Sequence, residues 1–231
     1  MTIMEAIDAR HSVRAYKDTP IPQEVRDRLD TFVSACNEES GLSITVQYDD
    51  PDGFDSRLAH YGSFSNVNSY IILKGGKRAG FSVNGSDRAD FDYACGYYGE
   101  KIVLYAQQLG LNTCWAALTF NRKKVKELVP AGEKLCMVIA LGYGQTQGTP
   151  HKGKTMYDVI DVTGGMPEWF VAGVESALKA PTAMNQQKFC FMLENDEPSV
   201  KIKGIGTFTK VDLGIVAFHF EAATDIRVKA Q

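Results

Sequence analysis

The chain has 231 residues, 44% hydrophobic and 23% charged, with a net charge of −3. That length suits one large domain or two small ones around a buried core, and with no long basic block, nucleic acid or an anionic membrane is not expected as a partner. Five scattered cysteines (Cys36, Cys95, Cys114, Cys136, Cys190) form no CxxC pair, which argues against a disulfide framework and against a zinc site, and reads as small buried side chains in a reducing compartment.

Residues 3–10, IMEAIDAR, place Ile3, Ala6 and Ile7 on one helical face and predict a helix ending near Arg10. Pro20 and Pro22 mark the start of a second helix with Val25, Leu29, Phe32 and Val33 as its apolar stripe. Residues 43–48 alternate like a strand, and 48–68, polar and turn-rich, read as loop. SYIILKG reads as a buried strand and AGFSVNG, residues 79–85, as a weaker one. A long helix runs from Phe91 to Leu109, apolar on more than one face and therefore central, with Gly110 as a left-handed stop. LGLNTCWAALTFN, residues 109–121, makes a tight turn into an apolar segment whose Trp115 suits a core. NRKKVKELV is a short helix capped by Asn121, its basic residues on a polar face. Residues 134–144 form a core strand, and TQGTPHKGK a loop. No apolar run reaches membrane-spanning length and no signal-peptide pattern opens the chain, so a soluble cytoplasmic protein is expected.

The C-terminal third echoes the N-terminal part. With IPQEVRDRLDTFVSAC over MPEWFVAGVESALKAP, Pro22 falls on Pro167, Val25 on Phe170, Leu29 on Val174, Val33 on Leu178 and Ala35 on Ala180. SITVQY then falls on KFCFML, and residues 94–106 on 212–224 with Gly96 on Gly214. Matches in the same order suggest two related halves, against the alternative of ordinary amphipathic helices. Related halves would pack about a pseudo-two-fold axis.

Four stretches could carry chemistry. If RHSVR, residues 10–14, runs extended, Arg10, Ser12 and Arg14 share one face and suit a phosphate or other oxyanion, since Arg forks onto oxygen pairs; the alternative is that Arg10 and His11 complement the end of the first helix. In APTAMNQQKF, residues 180–189, Pro181 ends a helix and small residues followed by amides could let a planar ligand approach the backbone, or could be a plain helix-to-strand loop. LGLNTCW leads to a small-residue turn, and in HKGK Lys152 and Lys154 flank a glycine in what could equally be a solvated loop.

Together these stretches resemble the FMN-dependent nitroreductase family, specifically its two-half branch. RHSVRAY is similar to that family's N-terminal phosphate motif, LGLNTCW to the segment beneath the flavin N5, KGK to its late basic pair, and APTAMNQQKF to its Ala-Pro-Ser-x-x-Asn-x-Gln-Pro-Trp motif. That last motif is displaced: family members carry it after the first helical hairpin, where this chain has ACNEESGLSI. Ordinary members are homodimers in which the motif reaches the flavin from the partner, so the displacement makes sense for a fused pseudo-dimer.

The resemblance implies an α+β nitroreductase-like fold, an antiparallel or mixed sheet surrounded by helices, with an N-terminal half over 1–160 and a shorter pseudo-partner over 161–231. It implies FMN as cofactor, with Arg10, Ser12, Lys152 and Lys154 at the phosphate, His11 in the same motif but facing away, and Arg14 near the ribityl chain and pyrimidine edge. Backbone at Ala117 and Leu118 would meet N5, and Pro181, Thr182, Ala183 and Asn185 would line the ring; Leu118 departs from the usual glycine, and Lys188 and Phe189 from Pro and Trp. The implied activity passes hydride from NAD(P)H through flavin N5 to a small electron-poor acceptor, a nitroaromatic or quinone, by a ping-pong route needing no catalytic side chain. No G-x-G-x-x-G follows a strand, and His60 and His219 read equally as structural or catalytic. A non-catalytic FMN carrier or sensor, or an interaction module, is the alternative on the same scaffold. One flavin site per chain is expected, in a monomer or a weak homodimer.

Overall fold

The structure is a computed structural model and describes residues 1–76, 81–83 and 86–231, with 86–88 as backbone only. Helix α1, Ile3–Ala9, opens on a capping box in which Thr2 accepts from the Glu5 N–H and Glu5 reaches back to the Thr2 N–H. Helix α2, Gln23–Ser40, begins after Pro22, ends on Gly41 at φ 73°, and buries Leu29, Val33 and Cys36. Both helices stand where the apolar spacing predicts them.

One sheet takes the order β1-β2-β6-β5, from β1 Thr45–Gln47, β2 Ser69–Gly76, β6 Glu133–Gly142 and β5 Asn112–Ala116, antiparallel throughout. The run SYIILKG is apolar without a break because both faces of β2 are covered. Ile71 and Leu73 face the main core, whereas Tyr70 and Ile72 face a second core with Val13, Phe54, Phe64 and Val138. This second core corrects the loop expected over 48–68. Phe54, Ala59 and Phe64 are buried there, and their anchoring folds a 3₁₀ turn at Pro51–Gly53 and helix α3, Arg57–Tyr61, whose Ser56 cap accepts from the Ala59 N–H. The weaker strand expected over 79–85 lies partly outside the described residues; β3, Phe81–Val83, pairs with β4, Ser86–Ala89.

A second sheet, β10-β9-β8-β7, is mixed. It comprises β7 Ile160–Asp161, β8 Phe189–Glu194, β9 Glu197–Ile202 and β10 Lys229–Ala230. Between the sheets lie α4, Phe91–Gln108, and α7, Thr209–Thr224, flanked by α6, Glu168–Leu178. Gly110 follows α4 at φ 82°, the left-handed stop the sequence suggests. The short α5, Arg122–Glu127, is capped by Asn121. The result is a mixed α+β fold, as expected.

Helices α4 and α7 touch backbone to backbone. A Cβ on Gly96 would lie 2.0 Å from the Val211 carbonyl oxygen, and a Cβ on Gly214 2.1 Å from that of Tyr93. Val211 precedes Gly214 by three residues, as Tyr93 precedes Gly96, so the contact is reciprocal. Gly96→Ala must push two helices apart and is expected to cost about 1–3 kcal/mol or more. Gly165→Ala, at a position with no neighbour within 4 Å, should leave stability within about 0.5 kcal/mol; urea unfolding of the two variants checks the contrast.

Candidate functional site

A cavity of about 280 Å³ opens between the N-terminal sheet and the start of α7. Four stretches meet there: Ser12 and Arg14 after α1; Cys114, Trp115, Ala117 and Leu118 at the end of β5; Pro181–Met184 after α6; and Val211, Asp212 and Ile215 in the first turns of α7. The first is held extended by the Val13 N–H donating to Thr113 O at 3.0 Å and by a parallel bridge between Ser12 and Thr113. Val13 is buried, and the Tyr16 hydroxyl donates to Val13 O at 2.7 Å. Pleating therefore turns Ser12 and Arg14 together towards the cavity. Arg14 forms no salt bridge among the described residues.

Arg10 does not join them, which corrects the shared face expected from alternation. It is the C-cap of α1, is 4% exposed, and turns inward to α4, where its Nε lies 3.6 Å from Glu100 Oε1 and its Nη2 donates to Lys179 O at 3.2 Å. Glu100 has no exposed surface and gathers further donors: Trp115 Nε1 at 2.9 Å on Oε2 and His219 Nε2 at 2.9 Å on Oε1. His219 Nδ1 lies 3.1 Å from Ser176 O. Burial pulls the Arg10 pKa down, and the Glu100 carboxylate opposes that. The charge is balanced internally, so Arg10 is held as a structural ion pair. His219 is thereby structural in this arrangement, while His60 lies in α3.

The remaining expected residues divide. Ala117, Leu118, Pro181, Thr182 and Ala183 line the cavity; His11, Lys152, Lys154 and Asn185 do not. His11 lines a neighbouring cavity with His151, and burial together with Arg10 and His151 lowers its pKa. Lys154 Nζ donates to Gln187 O at 2.7 Å, and Lys152 O accepts from Asn185 Nδ2 at 2.8 Å. The expected basic pair is thus tied to the turn that follows α6. Leu118 is 61% exposed at the mouth, and among the described residues its N–H has no acceptor.

Asp212 was not foreseen. It is 5% exposed, accepts from the Ala183 N–H at 2.8 Å and from Gln186 Nε2 at 2.7 Å, and burial pushes its carboxyl up to about 6 against those two hydrogen bonds. A lone acidic residue inside the largely apolar VDLGIVAFHF was the available signal. Glu100, within YYGEKIVLY, carried the same signal.

The family described as "Putative TM nitroreductase" matches residues 2–224. The chain belongs to this nitroreductase family. Among solved structures, a Thermotoga maritima "putative nitroreductase" is 24% identical, with a TM-score of 0.66, covering 96% of this chain and 83% of its own. A Bacteroides thetaiotaomicron "Putative NADH dehydrogenase/NAD(P)H nitroreductase" is 20% identical at a TM-score of 0.51, covering 68% of this chain and 95% of its own. A Streptococcus pneumoniae nitroreductase family protein is 16% identical at 0.51, covering 69% and 99%. These likenesses establish the nitroreductase fold. No curated protein matches the chain. No helix among the described residues is long and apolar enough to cross a membrane.

Removing the Glu100 carboxylate leaves Arg10, Trp115 Nε1 and His219 facing an empty buried space. Glu100→Ala is therefore expected to cost about 3–5 kcal/mol in urea unfolding, with a shift in tryptophan emission. Asp212 has its own pH signature. Its native pKa lies above the ordinary 3.8, so the folded state binds the proton more tightly than the unfolded one. Its contribution to stability must fall as pH rises from 3.8 to about 6. Asp212→Asn should remove that slope from the difference between variant and parent unfolding curves.

Proposed function

We propose that this nitroreductase-family chain is an FMN-dependent oxidoreductase that takes hydride from NAD(P)H and delivers it to an electron-poor acceptor, a nitroaromatic or quinone. The observation that carries this reading is the cavity, which gathers Ser12 and Arg14, Ala117 and Leu118, and Pro181–Ala183, stretches far apart in the chain. The NAD(P)H nitroreductase named among the solved relatives agrees with the donor.

The lining fits a flavin nucleotide. Trp115, Met137, Val211 and Ile215 offer apolar walls to a fused ring and keep water from it. The small side chains of Pro181, Thr182 and Ala183 let a planar group lie near the backbone. Arg14, with no carboxylate on it among the described residues, supplies a cation to the anionic parts of the nucleotide, and the Ser12 hydroxyl a further donor. The Leu118 N–H, without an acceptor among the described residues, would donate to a ring nitrogen at the mouth. Arg10 does not enter this set, because Glu100 neutralises it in the interior. When bound, FMN supplies the hydride chemistry.

The pairing of residues 1–160 with 161–231 as an internal pseudo-dimer is part of the same reading. Its support is the reciprocal contact of Gly96 and Gly214. In addition, two relatives of nearly full length cover only 68% and 69% of this chain, which leaves a remainder to act as partner. A chain with its principal interface already internal works as a monomer or a weak homodimer, and its five free thiols suit a reducing cytoplasm.

The purified protein should be yellow with a flavin spectrum that NADH or NADPH bleaches and a quinone restores. A colourless protein indifferent to added FMN would sink the proposal, and flavin binding without reduction by either nucleotide would leave only the carrier. Arg14→Ala removes a charged hydrogen-bonding group, worth about 1.5–3 kcal/mol. FMN affinity, read by quenching of flavin fluorescence, should fall by about 10- to 100-fold.

A further inference from the structure

The turn after α6 is built unlike any other segment of the site. Met184, Asn185 and Gln187 have φ of 51°, 54° and 43°, the left-handed region that side chains other than glycine rarely adopt. Three such residues within four positions persist only where the surroundings over-determine them. Two side chains from outside the turn do so. From α7, Asp212 takes the Ala183 N–H on Oδ1 and Gln186 Nε2 on Oδ2. From the loop before β7, Lys154 donates its Nζ to Gln187 O and its backbone N–H to Gln187 Oε1, both at 2.7 Å. Inside the turn, the Gln187 N–H donates to Thr182 Oγ1 at 3.1 Å.

We infer that Asp212 and Lys154 are positioning residues, a two-sided clamp that holds the strained 182–187 turn against the cavity and so shapes the wall made by Pro181–Met184. This rests on the cavity being the flavin site proposed above, and it gives both residues work other than touching the cofactor. Asp212 is well suited to its side. It is buried, its two oxygens have one donor each from the turn, and the wall it supports is its own neighbour in the cavity. Lys154 does not line the cavity and spends its ammonium on a backbone carbonyl. Met184, 85% exposed at the apex and also on the lining, is the part of the wall that would swing furthest if the clamp were opened.

Riboflavin and FMN separate a clamp from a phosphate contact, because riboflavin has no phosphate. With the full chain, Lys154→Met and Asp212→Ala should each weaken riboflavin and FMN by the same factor, at least 10-fold. The KM for p-benzoquinone should rise more than kcat falls. Amide exchange at Ala183 in flavin-free protein should quicken by 10-fold or more in Asp212→Ala, a readout that needs no cofactor. Should Asp212→Ala fail to fold, Asp212→Leu takes its place, filling the same space while removing both acceptor oxygens. A loss confined to FMN in Lys154→Met overturns the clamp and returns that lysine to the phosphate. Unchanged Ala183 exchange in a folded Asp212 variant overturns it as well. If the parent protein binds neither flavin, the functional proposal fails, while the exchange experiment still decides whether Asp212 holds the turn.

Discussion

Gly96 and Gly214 let α4 and α7 meet backbone to backbone, each glycine lying under a carbonyl of the other helix, and the remaining architecture is arranged around that crossing. Because the helices are so close, Glu100 of α4 reaches His219 of α7 directly, and the same carboxylate collects Trp115 from β5 and Arg10 from the end of α1. A buried charge is costly unless an opposite charge stands by it, and here Glu100 offsets Arg10 at 3.6 Å, although the Arg10 Nε makes no hydrogen bond among the described residues. The cluster therefore favours one relative placement of α1, α4, β5 and α7. Apolar packing supplies most of the cohesion here, with Phe170, Phe191 and Phe220 in ring contact on one side of α7 and Tyr97 against Phe218 on another.

The cavity is a consequence of that placement. The first turns of α7 arrive beside the end of β5, and Val211, Asp212 and Ile215 become one wall while Trp115 and Ala117 become another. Trp115 faces both ways: its ring lines the cavity and its indole N–H is tied to Glu100 in the interior. The turn at 182–187 then closes the site in a backbone conformation it would not hold alone. Strain at such a place is a common feature of ligand sites, where an otherwise unfavoured geometry is held by its neighbours. Lys152 and Lys154, read from sequence as a phosphate pair, contact this turn through the Lys152 carbonyl and the Lys154 ammonium.

Most of the helices were legible in the sequence, because amphipathic spacing, proline and glycine boundaries and caps are local properties. Helices α1, α2, α4 and α5 and the strands β2 and β6 stand where those signals place them. Helix α3 was missed: its five residues carry little periodicity, and its shape comes from anchoring Ala59 and Phe64 in a core whose other side is β2. The strand β9 was missed although it is local, a hairpin with β8 closed by Asn195 and Asp196 at φ 52° and 61°; only its pairing with β10 is made from a distance.

By itself the sequence determined the helices with clear boundaries, the apolar strands, the alignment of Gly96 with Gly214, and the chemical types present in the four candidate stretches. Only the tertiary structure decided which of those side chains are available. Arg10, Ser12 and Arg14 look alike in a string of five residues, yet Arg10 is the one that meets a buried carboxylate ninety positions away and is withdrawn. Asp212, whose partners no local pattern reveals, lies beside the turn that needs its two oxygens. The reason is physical: propensity and spacing act over a few residues, whereas the partner of a charge is set by whatever the fold brings within about 4 Å of it.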